Sequence, residues 1–425
     1  MKDVCRLPKF AHISDIHLGA NTDPALASLE IRAFDKTIDT CINEKVDFIL
    51  ICGDMFHVSI PDLQIADHAV QKLKQLNDQN IPIYTIFGSH DFTPNGKSII
   101  DLFQTADLIK NIAKGQFKEE KIILNFTTDP KTGAKLVGIF GRKGGLDKEY
   151  YQILDRETLE KEDGFKIFAF HACLDEFKPE YMLPAESIPI SNLPKGFNYY
   201  AGGHVHERMQ KNLINYPNVI FPGTLFGSQP RDHESSGRGE KRGFYIVEFE
   251  DKIQEIKFIP INVCEFIYEE FNLDPMNPIE AEKYLTNKFE TLDVNDKIVM
   301  LKVSGELSSG KISDIDFSRL KRQLIDKGAL KINLNRHNLK SKEFATIKIA
   351  GEDPATIEKR LLEEHLATIK ISQNLLQKEQ GLKLAIDLLN TFRQEIKAGE
   401  SKKDYTERMK ELGINLLGLK NVFSK

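Results

Sequence analysis

Nearly continuous apolar runs alternate with helical patterns in the first part of the chain. Residues 46–52 (VDFILIC) are apolar at almost every position, which is typical of a strand buried on both faces. Residues 62–79 instead repeat apolar side chains every three or four positions, as a helix with one buried face does. This alternation predicts an α/β sheet with helices on its faces. The predicted order is a strand at 7–14, a helix at 24–45, a strand at 46–52, a helix at 62–79 and a strand at 81–87.

Short strand-like segments dominate from residue 122 onward. Their number predicts either antiparallel strands added to the first sheet or a second sheet. The segments lie at 122–127, 135–141, 165–171, 197–201, 218–222, 243–249 and 253–261.

Two changes of pattern divide the rest of the chain. The first lies near Val263 and begins a small α+β unit, and the second is the sequence GEDP at 351–354. We therefore expect domains at 1–262, 263–350 and 355–425. The small unit is predicted to contain helices at 278–289 and 314–327 and strands at 297–303, 329–335 and 344–349.

The segment 355–425 contains no proline and carries two apolar stripes separated by a polar loop (KAGESKKD). This pattern predicts a helix–loop–helix with an apolar face on each arm. The two faces could pack on each other, or they could bind a partner coiled coil. A unit this short has little core of its own, which favours the partner. The stripes comprise Ala385, Leu388, Leu389, Phe392 and Ile396, and then Tyr405, Met409, Leu412, Leu416 and Leu419.

Composition narrows the class of protein only a little. The 425 residues are 41% hydrophobic and 28% charged, as in an ordinary globular protein, and no apolar run reaches the roughly 18 residues of a membrane span. Five scattered cysteines without a CxxC pair fit a reducing compartment, so we expect a cytoplasmic protein. The net charge of −5 argues weakly against nucleic-acid binding. Contact with phosphates, however, requires only a local basic surface.

Metal-type ligands follow five of the predicted strands. In open α/β sheets, binding sites lie where the carboxyl ends of the strands converge. A ligand set of Asp and His without Cys suits Mn, Fe or Zn ions. One such cluster alone would be ordinary turn chemistry. Five clusters together supply more ligands than one ion needs. Two ions about 3.5–4 Å apart are a recurring arrangement in enzymes that hydrolyse phosphoesters. The clusters are Asp15 and His17; Asp54 and His57; Ser89, His90 and Asp91; His171; and His204 and His206.

The motifs DIHLG, GDMFH, GSHD, FH and GHVH, in this order, resemble those of the calcineurin-like metallophosphoesterase superfamily. Together with the small domain and the helical pair, they resemble the Mre/SbcD nucleases, most closely the archaeal type. The resemblance implies a two-sheet sandwich flanked by helices, a small capping domain and a C-terminal helix–loop–helix. It also implies a two-metal DNA exonuclease and endonuclease subunit of a double-strand-break repair complex, working at DNA ends.

Roles for individual residues come from this resemblance. His90 would contact the scissile phosphate and protonate the leaving oxygen, while His57 would help to place the DNA end. Asp91 would orient His90. Ser89 stands where most relatives have asparagine, and its hydroxyl is a poorer ligand for the second metal. The two ions, Mn²⁺ or other divalent cations, would be held by Asp15, His17 and His206 at the first site, Asp54 as the bridge, and His171 and His204 at the second site.

The resemblance also implies partners. The capping domain would help to shape a DNA groove, the helical pair would bind a coiled-coil ABC ATPase of the Rad/SbcC kind, and helices at 62–79 and 98–110 would form a homodimer. No membrane partner is expected. The predicted DNA contacts are Lys97, Arg142, Lys143 and, in a loop at 231–242, Arg231, Arg238, Lys241 and Arg242.

Two other functions fit the same motifs. A phosphatase or cyclic-nucleotide phosphodiesterase would use the same site on a small substrate, but it has no need of a C-terminal helical pair. A degenerate phosphoesterase used as a scaffold would have lost ligands, and only position 89 departs from the pattern.

Overall fold

The computed structural model describes residues 6–92, 97–142, 148–183, 185–341, 378–397 and 400–417, with a few more between 356 and 363. Met1–Glu343 form one compact unit and Phe344–Lys425 a second. The predicted strand at 344–349 lies outside the described residues.

Strands and helices alternate along the first half of the first unit. Asp23 and Asp62 begin α1 and α2 by accepting backbone amide hydrogens in the first turn. The elements are β1 (Lys9–Ile13), α1 (Pro24–Asn43), β2 (Phe48–Cys52), α2 (Leu63–Asp78), β3 (Ile83–Ile86), α3 (Ile99–Thr105), β4 (Lys110–Asn111), β5 (Gly115–Lys118), β6 (Lys121–Leu124), β7 (Thr127–Thr128), β8 (Lys135–Ile139), α4 (Lys148–Gln152), α5 (Arg156–Glu160) and β9 (Lys166–His171).

The second half of this unit contains mostly strands. The elements are β10 (Tyr199–Gly203), β11 (Met209–Leu213), β12 (Tyr216–Phe221), α6 (Pro230–Gly237), β13 (Gly243–Phe249), β14 (Ile253–Pro260), β15 (Glu265–Asn272), α7 (Pro278–Thr291), β16 (Lys297–Leu307), α8 (Phe317–Asp326) and β17 (Lys331–Ser341).

Two six-stranded sheets pack face to face. Their strand orders are β14-β13-β1-β2-β3-β4 and β11-β12-β10-β9-β8-β7. The layer between them joins Phe10 and Tyr84 of the first sheet to Ile167 and Tyr199 of the second, all buried. Helices α1, α2 and α3 cover the outer face of the first sheet, where their apolar stripes pack. The predicted α/β sandwich and its second sheet are confirmed.

The parallel strands of both sheets end at the same edge of the sandwich. β1, β2 and β3 run parallel in one sheet, and β8, β9 and β10 run parallel in the other. The ends of β2 and β10 touch so closely that a Cβ atom on Gly203 would lie 2.0 Å from the Cys52 carbonyl oxygen. Loops that leave these strands therefore meet across the two sheets.

A smaller sheet of three parallel strands, β15-β16-β17, follows. Helices α7 and α8 bury one of its faces, and Ile298 and Met300 on the other face join the core of the first sheet. The prediction missed β15, whose sequence EFIYEEFN is mostly half-buried and lacks a clear alternation. It also ended the strand β17 too early, at residue 335.

The second unit contains α9 (Lys378–Phe392) and α10 (Lys402–Leu416), as the two stripes predicted. Gly413 of α10 lies against Phe392 of α9, and the Tyr405 hydroxyl donates to the Gln394 carbonyl. Some apolar side chains stay partly exposed, among them Phe392, Ile396 and Leu417. Within the described residues, no helix is long and apolar enough to cross a membrane.

Candidate metal centre

The ligand-bearing loops carry an unusual backbone. Asp15, His17, Asp54 and His204 all have positive φ angles, between 49° and 86°. Residues other than glycine rarely adopt this left-handed conformation, which persists where the surroundings enforce it and clusters at functional sites. The chain therefore turns sharply at the end of each strand and points these side chains into the space between the sheets' edges.

Backbone hydrogen bonds tie the loop after β1 to the loop after β2. The amide of His17 donates to the carbonyl of Asp54 (2.9 Å), and the amide of Leu18 donates to that of Met55 (3.0 Å). The amide of His57 in turn donates to the carbonyl of Leu18 (3.0 Å). The first two motifs therefore form one rigid platform.

Asp15, His17 and His206 form the first group of ligands, with one ligand atom from each within 4.8 Å of the others. The Nε2 atoms of His17 and His206 lie only 3.1 Å apart. Burial lowers the pKa of His17 well below its ordinary value, so its ring is neutral. Two imidazole nitrogens that face each other at this distance are suited to a shared cation.

Asp15, Asp54 and His171 form the second group, again within 4.8 Å. His171 Nδ1 is bonded to the Cys52 carbonyl (2.8 Å), which directs Nε2 toward Asp54 Oδ2 at 3.3 Å. Burial opposes a charge on His171, but the charges of Asp54 and Asp15 outweigh it and raise the His171 pKa to about 10. A proton and a metal ion therefore compete for Nε2.

Asp54 lies between the two groups. Its Oδ2 atom is 3.6 Å from His17 Nε2 and 3.3 Å from His171 Nε2. Its Oδ1 atom accepts the backbone amide of His90 at 2.8 Å. Burial alone would raise the pKa of Asp54, yet His171 and His17 hold it well below the ordinary value. An ionised carboxylate in this position can bridge two cations.

Two predicted ligands of the second ion lie beside this group. The Ser89 hydroxyl is 3.4 Å from Asp54 Oδ2. The ring of His204 is edge-on to that of His171, with centroids 5.3 Å apart, and the His204 amide donates to the Asp15 carboxylate. Burial lowers the pKa of His204 to about 4, which leaves its ring neutral. Ligation by Ser89 and His204 stays a prediction.

His57 and His90 flank the first group. One nitrogen from each lies within 4.8 Å of a nitrogen of His17, and their rings stack with centroids 5.0 Å apart. His90 Nδ1 is bonded to the His57 carbonyl at 2.6 Å. This contact fixes the His90 ring, so Nε2 is its nitrogen for chemistry.

The prediction for Asp91 needs correction, because the His57 carbonyl rather than Asp91 holds the His90 ring. The buried Asp91 carboxylate accepts the backbone amides of Asp54 (2.8 Å) and Gly88 (2.9 Å). It thereby fastens the loop after β3 to the loop after β2. The approach is so tight that a Cβ atom on Gly88 would lie 2.1 Å from Asp54 Oδ1.

Sequence reasoning missed Asp232. Its carboxylate contacts His206 Nδ1 at 3.1 Å, and a carboxylate in this position orients the imidazole so that Nε2 faces the metal. Asp232 belongs to the helix α6, so the predicted loop at 231–242 was wrong over residues 231–237. Pro230 followed by an acid two residues later is a helix-start pattern that could have revealed α6.

The prediction for Arg242 was also wrong. Its side chain is buried, with 5% of the residue exposed, and it donates to the carbonyls of His206 (2.6 Å) and Asp232 (2.7 Å). An arginine that is buried and bonded in this way does not present its charge on the protein surface. Arg242 instead clamps the strand end that carries His206 to α6.

The other predicted DNA contacts differ in their exposure and in whether their charges are already paired with other side chains. Lys97, Arg231 and Lys241 are exposed. Arg238 is paired with Glu234 (3.1 Å) and Glu270 (2.7 Å). Lys143 lies outside the described residues, and Arg142 is held against the rings of Phe92 and Tyr150.

The donor set fits a pair of divalent cations. It combines two carboxylates with several imidazoles, and the buried Nε2 atom of His171 faces Asp54 Oδ2 at 3.3 Å. Oxygen and imidazole ligands of this kind bind Mn²⁺, Fe²⁺ or Zn²⁺. The sandwich with ligands at both sheets' parallel strand ends is the architecture of a metal-dependent phosphoesterase.

Comparison with known proteins agrees with this class. Residues 8–208 match the family model described as Calcineurin-like phosphoesterase. The family implies a pair of divalent metal ions.

Curated relatives extend the similarity beyond this domain. The chain is 26% identical over 304 residues to the DNA double-strand break repair protein Mre11 of Sulfolobus acidocaldarius. The aligned region covers 69% of this chain and 74% of that protein. It is 27% identical over 424 residues to the Mre11 protein of Sulfurisphaera tokodaii, covering 96% of this chain and 97% of that protein. The Archaeoglobus fulgidus Mre11 protein is 26% identical over 333 residues, covering 74% and 72%. The resemblance to the archaeal Mre/SbcD proteins is confirmed.

Proposed function

We propose that this protein is a two-metal DNA exonuclease and endonuclease that hydrolyses phosphodiester bonds at DNA ends, as a subunit of a double-strand-break repair complex. The observation that carries the proposal is the pair of ligand groups that share Asp15 and meet at Asp54. Similarity to archaeal Mre11 proteins over most of the chain supports DNA as the substrate.

We assign the two ions as Mn²⁺, with Asp15, His17 and His206 at one and His171, His204 and Ser89 at the other. Asp54 would bridge them. When bound, two such cations would neutralise the charge of a phosphodiester and lower the pKa of water, so that hydroxide is available as the nucleophile. Asp232 and the Cys52 carbonyl hold His206 and His171 in the ring orientations that this ligation requires.

His90 is assigned as the proton donor to the leaving oxygen. Its Nδ1 atom is occupied by the His57 carbonyl, so the proton moves through Nε2. The stacked ring of His57 limits where the phosphate can lie, which suits a residue that places the DNA end. No covalent intermediate is required.

DNA binding is assigned to the exposed cations near α6 and to the capping domain (263–350). We expect Arg231→Gln and Lys241→Gln each to weaken binding to linear duplex DNA and to reduce the slope of log affinity against log salt by about 1. Arg238→Gln is the matched control, and it should change the slope less because two carboxylates already pair with Arg238.

The measurement is fluorescence anisotropy at several salt concentrations, in a His90→Ala background that leaves the DNA uncut. Equal salt slopes for all three variants and the parent would remove this surface from the DNA site.

The helical pair at 355–425 is proposed to bind a coiled-coil ABC ATPase of the Rad/SbcC kind. Phe392 and Ile396 lie at the end of α9 and just beyond it, and both are about half exposed, although their stripe predicts an apolar face. Side chains of this kind are suited to a groove on a partner helix.

A homodimer is proposed through α2 and α3. Ile60, Leu63 and Leu102 in and before these helices are 75%, 83% and 56% exposed, respectively. Large apolar side chains clustered on a surface mark interaction sites more often than scattered ones do.

The competing function is hydrolysis of a small phosphoester at the same site. Wild-type protein with Mn²⁺ is given linear duplex DNA and, separately, bis-p-nitrophenyl phosphate. DNA cleavage that the small diester inhibits only at high concentration supports the nuclease. Turnover of the small diester without DNA cleavage would support the alternative, and no turnover of either would support a scaffold.

A further inference from the structure

Glu30 is a buried carboxylate that the chemistry above does not use. It lies on α1, outside the five motifs, and is only 4% exposed. It accepts the backbone amides of Gly19 and Asn21 and the Asn21 side-chain amide (Nδ2, 2.6 Å). Within the described residues, it forms no ion pair.

A buried carboxylate without a cation is expensive to retain, and burial raises the pKa of Glu30. A glutamine or an apolar residue would fill the same space with less desolvation. What the carboxylate supplies is a strong acceptor for several donors of one loop, the loop that immediately follows His17.

Asn21 continues the connection to the other side of the metal centre. Its Nδ2 atom also donates to the carbonyl of Gly227 at 3.1 Å. The next two amides, of Ser228 and Gln229, donate to the Asp232 carboxylate at 2.9 and 3.0 Å. That carboxylate holds His206.

The connection therefore joins the segments that carry His17 and His206, whose Nε2 atoms are 3.1 Å apart. We propose that Glu30 is a positioning residue that, through Asn21, sets the spacing of His17 and His206 for the first metal ion. This inference rests on the proposed two-metal site. It assigns Glu30 no contact with metal or substrate.

The test measures Mn²⁺ binding by the full chain after chelation, with electron paramagnetic resonance to count bound ions and to detect the spin-coupled pair. Glu30→Gln should weaken one of two sites about tenfold or more, with loss of the coupled signal at two equivalents. The matched control is Asp129→Asn, which alters another buried carboxylate whose partners are Tyr84 and Thr132, and it should bind both ions as the parent does.

Wild-type binding of both ions by Glu30→Gln would overturn the proposal. If thermal unfolding shows that this variant does not fold, the half-buried Asn21→Ala decides, because it removes the bond to Gly227 and should weaken the same site. Unchanged binding by Asn21→Ala would overturn it equally. A wild-type chain that binds fewer than two ions would instead overturn the two-metal function, and loss of the remaining ion in Glu30→Gln would still support the role of Glu30.

Discussion

Replacing Asp54 by asparagine is expected to lower the rate of DNA hydrolysis about 10³-fold or more. The asparagine side chain has the same size and can still accept the hydrogen bond from the His90 backbone amide. It lacks, however, the negative charge that Asp54 places between His17 Nε2 and His171 Nε2. Without a bridging carboxylate the two cations repel each other, and one is lost. The lost transition-state stabilisation corresponds to about 4 kcal/mol.

The measurement combines the rate of cleavage of linear duplex DNA with the number of Mn²⁺ ions bound per chain. Both should fall in Asp54→Asn and stay unchanged in Asp129→Asn, whose carboxylate is equally buried but accepts hydrogen bonds from the Tyr84 hydroxyl and the Thr132 amide. Two bound ions in Asp54→Asn would show that Asp54 does not bridge.

The second large effect is expected for His90→Ala, which should reduce kcat about 10²–10⁴-fold while both metal ions remain bound. The reason is that His90 is assigned as the proton donor to the leaving oxygen and is not among the assigned metal ligands. The hydrogen bond from residue 90 to Asp54 is donated by the backbone amide, so it survives the substitution. Loss of rate without loss of metal separates this role from that of Asp54.

A substrate with a better leaving group makes this test sharper. A p-nitrophenyl phosphodiester needs no proton donor, so His90→Ala should be impaired much less on it than on DNA. His68→Ala serves as the control, because that ring lies on α2, pairs with Asp35 of α1 and is not among the assigned site residues. Equal impairment on both substrates would argue that His90 places the phosphate and does not protonate the leaving oxygen.

Periodicity predicted the α/β sheet with helices on its faces because strand period and helix period are local properties, whereas the two-sheet sandwich was implied by the family resemblance. The run 46–52 and the helical pattern at 62–79 correspond to β2 and α2 within a few residues. The strand β15 was missed because its residues are half-buried against α6, so their pattern depends on a tertiary contact that no local spacing reports.

Metal-type residues at strand ends were predictable for a similar reason. Parallel strands bring their carboxyl ends to one edge, so residues after β1, β2 and β3 had to meet. The supporting contacts were not predictable. Asp91 accepts backbone amides instead of a histidine ring. Asp232 contacts His206, 26 residues away in sequence, and Glu30 contacts Gly19, 11 residues away, so both contacts depend on the folded path of the chain.

Basic residues were the least predictable part of the site. Arg231 and Arg242 look equivalent in the sequence RDHESSGRGEKR, yet one is exposed and the other is buried beneath α6. A charge in a polar stretch reveals neither its exposure nor its partners. Only the folded chain separates Arg231, a candidate contact for DNA, from Arg242, a clamp for the His206 segment.

The most direct test of the central claim is cleavage of linear duplex DNA as Mn²⁺ is titrated onto the chelated full chain. We expect no cleavage without metal, little at one equivalent, and activity that rises steeply as the second equivalent binds. Cleavage that is complete at one equivalent, or DNA that stays intact when two ions are bound and a small phosphodiester is turned over, would contradict a two-metal DNA nuclease.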